Sequence, residues 1–137
     1  MEAIAIEQDP YLKLTPNALR RRAAPFAAAT YCMGDEGYCS PRGANWRYEA
    51  EYEVSKLIHL MPGGWTAWFD RELELYPEPA SGRHYARLLE EDIEEPIIVL
   101  ERNGLSYIWE GWHRTGAAVK KGQTKIRAIV GTPWRGE

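Results

Sequence analysis

The segment that most restricts the fold is Pro96-Ile97-Ile98-Val99-Leu100, followed by Glu101-Arg102-Asn103-Gly104 and a return run from Leu105 to Trp109. Four consecutive apolar residues make a run of strand length, and Asn-Gly supplies the positive φ angles of a tight hairpin turn. The sequence therefore predicts two antiparallel strands joined at Asn103-Gly104. Before them, Ser81 is a candidate cap for a helix reaching about Glu95, with Tyr85, Leu88, Leu89 and Ile93 on one face, and Pro96 stops it. After them, a short helix is expected from Thr115 to Lys121, closed by Gly122, and a last strand from Lys125 to Val130. The order helix, hairpin, helix, strand predicts an α+β fold.

The first half is less regular. Thr15 is a candidate cap and Pro16 suits the first helical position, so a helix is expected from there to Ala24, closed by Pro25. Residues 30–47 are rich in Gly, Tyr and polar side chains without a sustained period, and a long loop is expected. Tyr48 to Leu60 is β-branched and aromatic, with Tyr52, Val54 and Ile58 as the expected buried positions. Pro62-Gly63-Gly64 predicts a turn, and Trp65, Trp68 and Phe69 a local aromatic cluster. This divides the chain into an N-terminal helix-and-loop extension, 1–47, and a domain, 48–137.

At 137 residues the chain has the size of one domain, and 45% hydrophobic with 27% charged residues is a globular composition. It holds no apolar run of the about 18 residues that a membrane span needs. Met1 to Glu7 lacks the basic start and apolar stretch of a secretory signal, and two cysteines make no disulfide framework. The expectation is a cytoplasmic protein with reduced thiols. A net charge of −3 argues against a protein that coats nucleic acid unaided. That charge is unevenly placed. Residues 70–110 hold eleven acids against four bases, whereas residues 111–137 hold six bases against Glu137 alone. The basic segment either forms salt bridges with the acidic one or builds an anion site.

The residues at the junction favour an anion site. At Glu110-Gly111-Trp112-His113-Arg114-Thr115 a strand ends, a glycine lets the backbone approach a ligand, and a helix begins. Free N–H groups at a helix start, with the helix dipole, favour an anion. Arg114 adds a planar fork of donors suited to phosphate, and His113 donates with a positive charge only when protonated. Gly111, His113, Arg114 and Thr115 form the candidate phosphate-binding set. Glu110 sits where a strand-end carboxylate can hold Mg²⁺ or orient a water or hydroxyl nucleophile, which makes it the candidate catalytic and metal residue.

From Ser81 to Gly131 the chain resembles the ParB/sulfiredoxin superfamily. The resemblance rests on Glu95-Pro96-Ile97-Ile98-Val99-Leu100, on Glu110-Gly111-Trp112-His113-Arg114-Thr115-Gly116-Ala117-Ala118, on Lys121-Gly122, and on Ile126-Arg127-Ala128-Ile129-Val130, in that order. It implies a ParB/sulfiredoxin-like small mixed sheet with flanking helices, here with an N-terminal extension, and a first strand near Val54. It also implies nucleotide binding: the box cradles the phosphates of ATP or another nucleotide with Mg²⁺, placing Gly111, His113 and Arg114 at phosphate and Glu110 at metal or water. Mg-dependent NTP hydrolysis or phosphoryl transfer to a small-molecule or protein acceptor follows. The alternatives are a non-catalytic nucleotide switch and a DNA-associated nuclease or regulatory module. Two departures narrow the choice. Sulfiredoxins carry their catalytic cysteine where this chain has Trp112, so sulfinic acid reduction is not expected. Partition proteins continue into a helix-turn-helix domain, whereas this sequence ends seven residues after Val130.

Other features read more simply as structural. Cys32 and Cys39 are spaced more widely than the cysteines of a structural zinc site. Arg20-Arg21-Arg22 can track phosphate, but on a short amphipathic helix it reads first as a solvated face. Trp112 is expected to pack, His59 and His84 to be structural, and Glu90 to Glu95 to form a soluble acidic face.

Overall fold

The computed structural model describes residues 9–27, 37–58, 61, 63–77 and 85–134. Strands β2 (Ile97–Arg102) and β3 (Leu105–Glu110) form the expected hairpin, with Asn103 at φ 53° and Gly104 at φ 79° in its two-residue turn. From Glu110 the chain enters helix α4 (Trp112–Lys120) and returns in strand β4 (Lys125–Pro133), which lies parallel to β2. Strand β1 (Ala44–Glu53) pairs antiparallel with the other side of β4 and completes a four-stranded mixed sheet in the order β1-β4-β2-β3. The protein is thus α+β. The two central strands each carry a buried apolar stretch, Ile97–Leu100 in β2 and Ala128–Gly131 in β4, because there each is covered on both faces.

Alternation along β2 separates two cores. Ile98 and Leu100 join Trp46, Trp109, Ile129 and, from helix α1 (Pro16–Ala23), Leu19 and Ala23. Ile97 and Val99 point the other way, to Tyr52, Ile108, Ile126, Val130 and Ala118 of α4. Helix α2 (Trp65–Leu75) packs on α4 through the fully buried Phe69. The Thr15 cap is as expected: its hydroxyl oxygen accepts from the Ala18 amide at 3.1 Å.

Several sequence expectations are corrected. The boundary after residue 47 falls inside β1, and the last residues of the expected loop, 44–47, are strand. Trp46 is 4% exposed, donates from Nε1 to the Pro41 carbonyl at 2.7 Å and packs on the Trp109 ring. Ala44-Asn45-Trp46-Arg47-Tyr48 does alternate apolar and polar residues as a strand does, but the run is short and follows Pro41 and Gly43, which read as loop. β1 gives way to a 3-10 turn, Val54–Lys56; Tyr52 is buried, Val54 and Ile58 are half-buried, and Leu57 is the buried residue beyond the turn. The helix expected over 81–95 is reduced, among described residues, to α3 (Arg87–Glu90). Its expected continuation gathers Glu90, Glu91, Asp92, Glu94 and Glu95, acids that repel one another and oppose the helix dipole at a C-terminus. Ile93 still packs half-buried against the second core. Ser81, His59, His84, Pro62 and Cys32 lie outside the described residues, and Cys39 is a free, half-buried thiol. No described helix is long and apolar enough to cross a membrane.

If the N-terminal segment belongs to the core, Trp46→Ala should cost about 3–5 kcal/mol of stability, as truncation of buried Trp does. Chemical denaturation checks this; a loss below about 1 kcal/mol, the range of surface changes, would return residues 44–47 to a peripheral loop.

Candidate functional site

The junction between β3 and α4 is tighter than the sequence suggests. Gly111 has φ 111°, and a Cβ there would lie 2.4 Å from Cγ2 of Ile97. Only glycine accepts both the left-handed backbone and that approach. The helix then starts at once, at Trp112 and not at Thr115, so Trp112, His113 and Arg114 occupy its first turn. Amides of a first turn have no intrahelical acceptor. Glu110 turns back on the junction, and its Oε1 accepts from the Gly111 amide at 2.9 Å.

The earlier helix start redirects the expected phosphate ligands. Thr115 is 0% exposed and its hydroxyl donates to the Gly111 carbonyl at 2.8 Å. It closes the turn from inside and leaves the phosphate-binding set. Trp112 packs half-buried against the second core, as expected. His113 is held on three sides: Nε2 is 2.8 Å from Oε1 of Glu72, the Tyr85 ring stacks at 3.6 Å, and the Trp68 ring lies at 5.0 Å. An ionised Glu72 only accepts, so Nε2 carries the proton, and the ring donates from Nδ1 only as imidazolium.

Arg114 is half-buried in the first turn of α4. One guanidinium nitrogen donates to the Pro96 carbonyl at 3.2 Å. Its Nε is buried with no hydrogen-bond partner among the described residues. Burial pushes its pKa down, while Glu110 and Glu95 draw it back up; it stays a cation at neutral pH. A buried, unpartnered donor is costly and calls for an acceptor.

Two clefts open on this arginine, and both are lined by Arg114 and Glu110. One, about 290 Å³, is also lined by Tyr11, Arg21, Arg22 and Glu95. The other, about 520 Å³, is lined by Tyr85, Leu88, Trp112 and His113. No family model, curated protein or solved structure matches the chain.

The rest of the basic segment answers the question left by the charge distribution. Lys120 pairs with Asp70 at 2.8 Å, Lys121 and Arg127 donate to the carbonyls of Glu91 and Glu94, and Lys125 reaches Glu51 at 3.3 Å. Those cations tie the fold together, whereas Arg114 faces the clefts. Among the described residues no three His, Cys, Asp or Glu side chains converge as a metal site. Mg²⁺ asks for less, one or two carboxylates completed by phosphate oxygens and water. Glu110 and Glu95 are the carboxylates that line the smaller cleft.

Sequence reasoning missed Glu72, Trp68 and Tyr85 as site residues, and read Arg21 and Arg22 first as a solvated face and Glu95 as part of an acidic one. Trp68 and Glu72 sit four apart on α2, a spacing that places them on one helix face and was available as a signal. The arginine run was itself a signal for phosphate, but nothing in the sequence joined it to Arg114.

Proposed function

We propose that this chain binds a nucleotide through its phosphates at the start of α4, and that its activity is Mg-dependent NTP hydrolysis or phosphoryl transfer. The observation that carries the proposal is Arg114, a half-buried cation between two clefts at a helix N-terminus, whose buried Nε has no partner among the described residues. The likeness of residues 81–131 to the ParB/sulfiredoxin pattern supports it, and a ParB/sulfiredoxin-like fold is part of the same proposal.

The chain's own residues divide the work by position. Arg114 presents its fork to phosphate oxygens, and the first-turn amides of α4 add uncharged donors in line with the helix dipole. His113, set by Glu72 and clamped by Tyr85 and Trp68, forms part of the aromatic wall and donates to phosphate only when protonated. Glu110, beside Arg114, is placed to orient a water or an acceptor hydroxyl. Mg²⁺, held by Glu110 and Glu95 with the phosphates, would supply charge neutralisation, which with positioning is most of what phosphoryl transfer requires.

One observation favours a second reading. The Oε1 of Glu110 is engaged by the Gly111 amide, and a carboxylate serving as a structural cap leaves a nucleotide switch without turnover. Titration calorimetry with ATP, ADP, CTP and GTP, each with Mg²⁺, combined with a phosphate-release assay, separates the two. Glu110→Gln is expected to lower turnover about 10²–10⁴-fold, the range for loss of a general base, and to impair binding far less. A variant that turns over nucleotide at the wild-type rate removes Glu110 from the chemistry. Binding without turnover by the wild-type protein establishes the switch.

A further inference from the structure

Helix α1 lies across the smaller cleft from Arg114, and its position follows from burial. Leu19 and Ala23, four residues apart, are fixed in the first core, which sets the rotation of the helix. The three arginines between them then part company. Arg20 is bound back to Asn17 through two nitrogens, at 3.1 and 2.7 Å. Arg21 and Arg22 line the cleft with Arg114. The guanidinium of Arg22 sits 5.1 Å over the Tyr11 ring. Tyr11 is itself steadied by stacking on Tyr48 at 5.5 Å and by its amide, which donates to Asp9 at 3.0 Å. Among the described residues neither Arg21 nor Arg22 is paired with a carboxylate, and Glu95 and Glu110 are the acids that face the three guanidiniums. Like charges gathered around a cleft repel one another until an anion enters.

The two clefts also differ in character. The smaller, about 290 Å³ and lined by arginine, lies just below the usual range for whole small-molecule ligands, roughly 300–1,000 Å³. The larger, about 520 Å³, is lined by Tyr85, Trp112 and His113, an aromatic wall in which Tyr85 and His113 stack on each other. Arg114 borders both.

We infer that Arg21 and Arg22 form a second phosphate-binding wall, so that the site takes a ligand with two or more linked phosphates, the chain of phosphates running past Arg114 toward α1 while the nucleoside lies against the aromatic cleft. This rests on the nucleotide reading above and adds what that reading leaves open: selection by phosphate number. Arg21 and Arg22 act as binding residues and take no part in the transfer step.

The test is the full-length Arg21→Ala/Arg22→Ala variant, whose fold is checked by circular dichroism. Both side chains are exposed and alanine is a good helix former. Titrations with the mono-, di- and triphosphates of adenosine and cytidine, and with inorganic tripolyphosphate, are run on it and on the wild type. The wild type is expected to tighten steeply from mono- to triphosphate. The variant should lose about tenfold or more for triphosphates and tripolyphosphate and about twofold or less for monophosphates, because only the outer phosphates lose a charged partner. Unchanged triphosphate affinity in the variant overturns the inference, as does an equal loss for all three phosphate numbers. If the wild type binds tripolyphosphate but no nucleotide, and the variant loses it, the arginine wall stands and the nucleotide reading falls. A wild type that binds neither overturns both.

Discussion

Gly111→Ala is expected to lower the stability of the protein by about 2–5 kcal/mol or to prevent folding. Two independent costs meet at one Cα. A left-handed backbone costs an L-residue about 1–2 kcal/mol, and forcing a methyl group into a filled site costs about 1–3 kcal/mol more. The second cost applies because the new Cβ would sit 2.4 Å from Cγ2 and 2.7 Å from Cβ of Ile97, a residue with 0% exposure that is held in a central strand and cannot step aside. Gly104 supplies the control. Its φ is 79°, yet nothing lies within 4 Å of where its Cβ would go. Gly104→Ala should therefore show the backbone cost alone, about 1–2 kcal/mol. Urea unfolding of the two variants beside the wild type measures both numbers. Equal losses would mean that β2 and the start of α4 are not in close approach, and the geometry of the site would go with them.

Arg114→Ala should weaken nucleotide binding by about 2–5 kcal/mol, the range for removing one partner of a desolvated charged pair, which is about 30- to 4,000-fold in affinity. Its effect on stability should be small and of either sign. The variant loses the bond to the Pro96 carbonyl, and it also removes a desolvated charge whose Nε has no partner among the described residues. Arg114→Lys should restore part of the affinity at most, since it returns the charge without the planar fork. Calorimetric titration with denaturation controls reads both quantities. A folded Arg114→Ala protein with wild-type affinity would end the assignment of the phosphate site to this helix start.

The hairpin was legible because its signals are local. Four apolar residues after Pro96 and an Asn-Gly pair act within a few bonds of themselves, and both angles at the turn have the sign the residue types predict. Local signals also placed the Thr15 cap and the end of α4 near Gly122. The candidate site was legible only as a stretch of chain. Glu110, Gly111, His113 and Arg114 do meet at one junction, but their roles turn on where the helix begins. A start at Trp112 lets the Thr115 hydroxyl fold back onto the Gly111 carbonyl and take itself out of reach. That start is set by the Ile97 side chain against Gly111, a contact that spans the hairpin between them.

The sequence alone determined the elements whose energies come from neighbours along the chain: the β2–β3 turn, the break at Pro96, the first helix and the α+β order. Tertiary structure alone decided which distant groups share a space. Residues 44–47 became strand because β4 offered them a partner, Glu72 reached His113 because α2 packs on α4, and Arg21 came to face Arg114 because Leu19 and Ala23 are buried under the sheet. Such pairings depend on packing between elements far apart in the chain, and composition and periodicity carry no record of it.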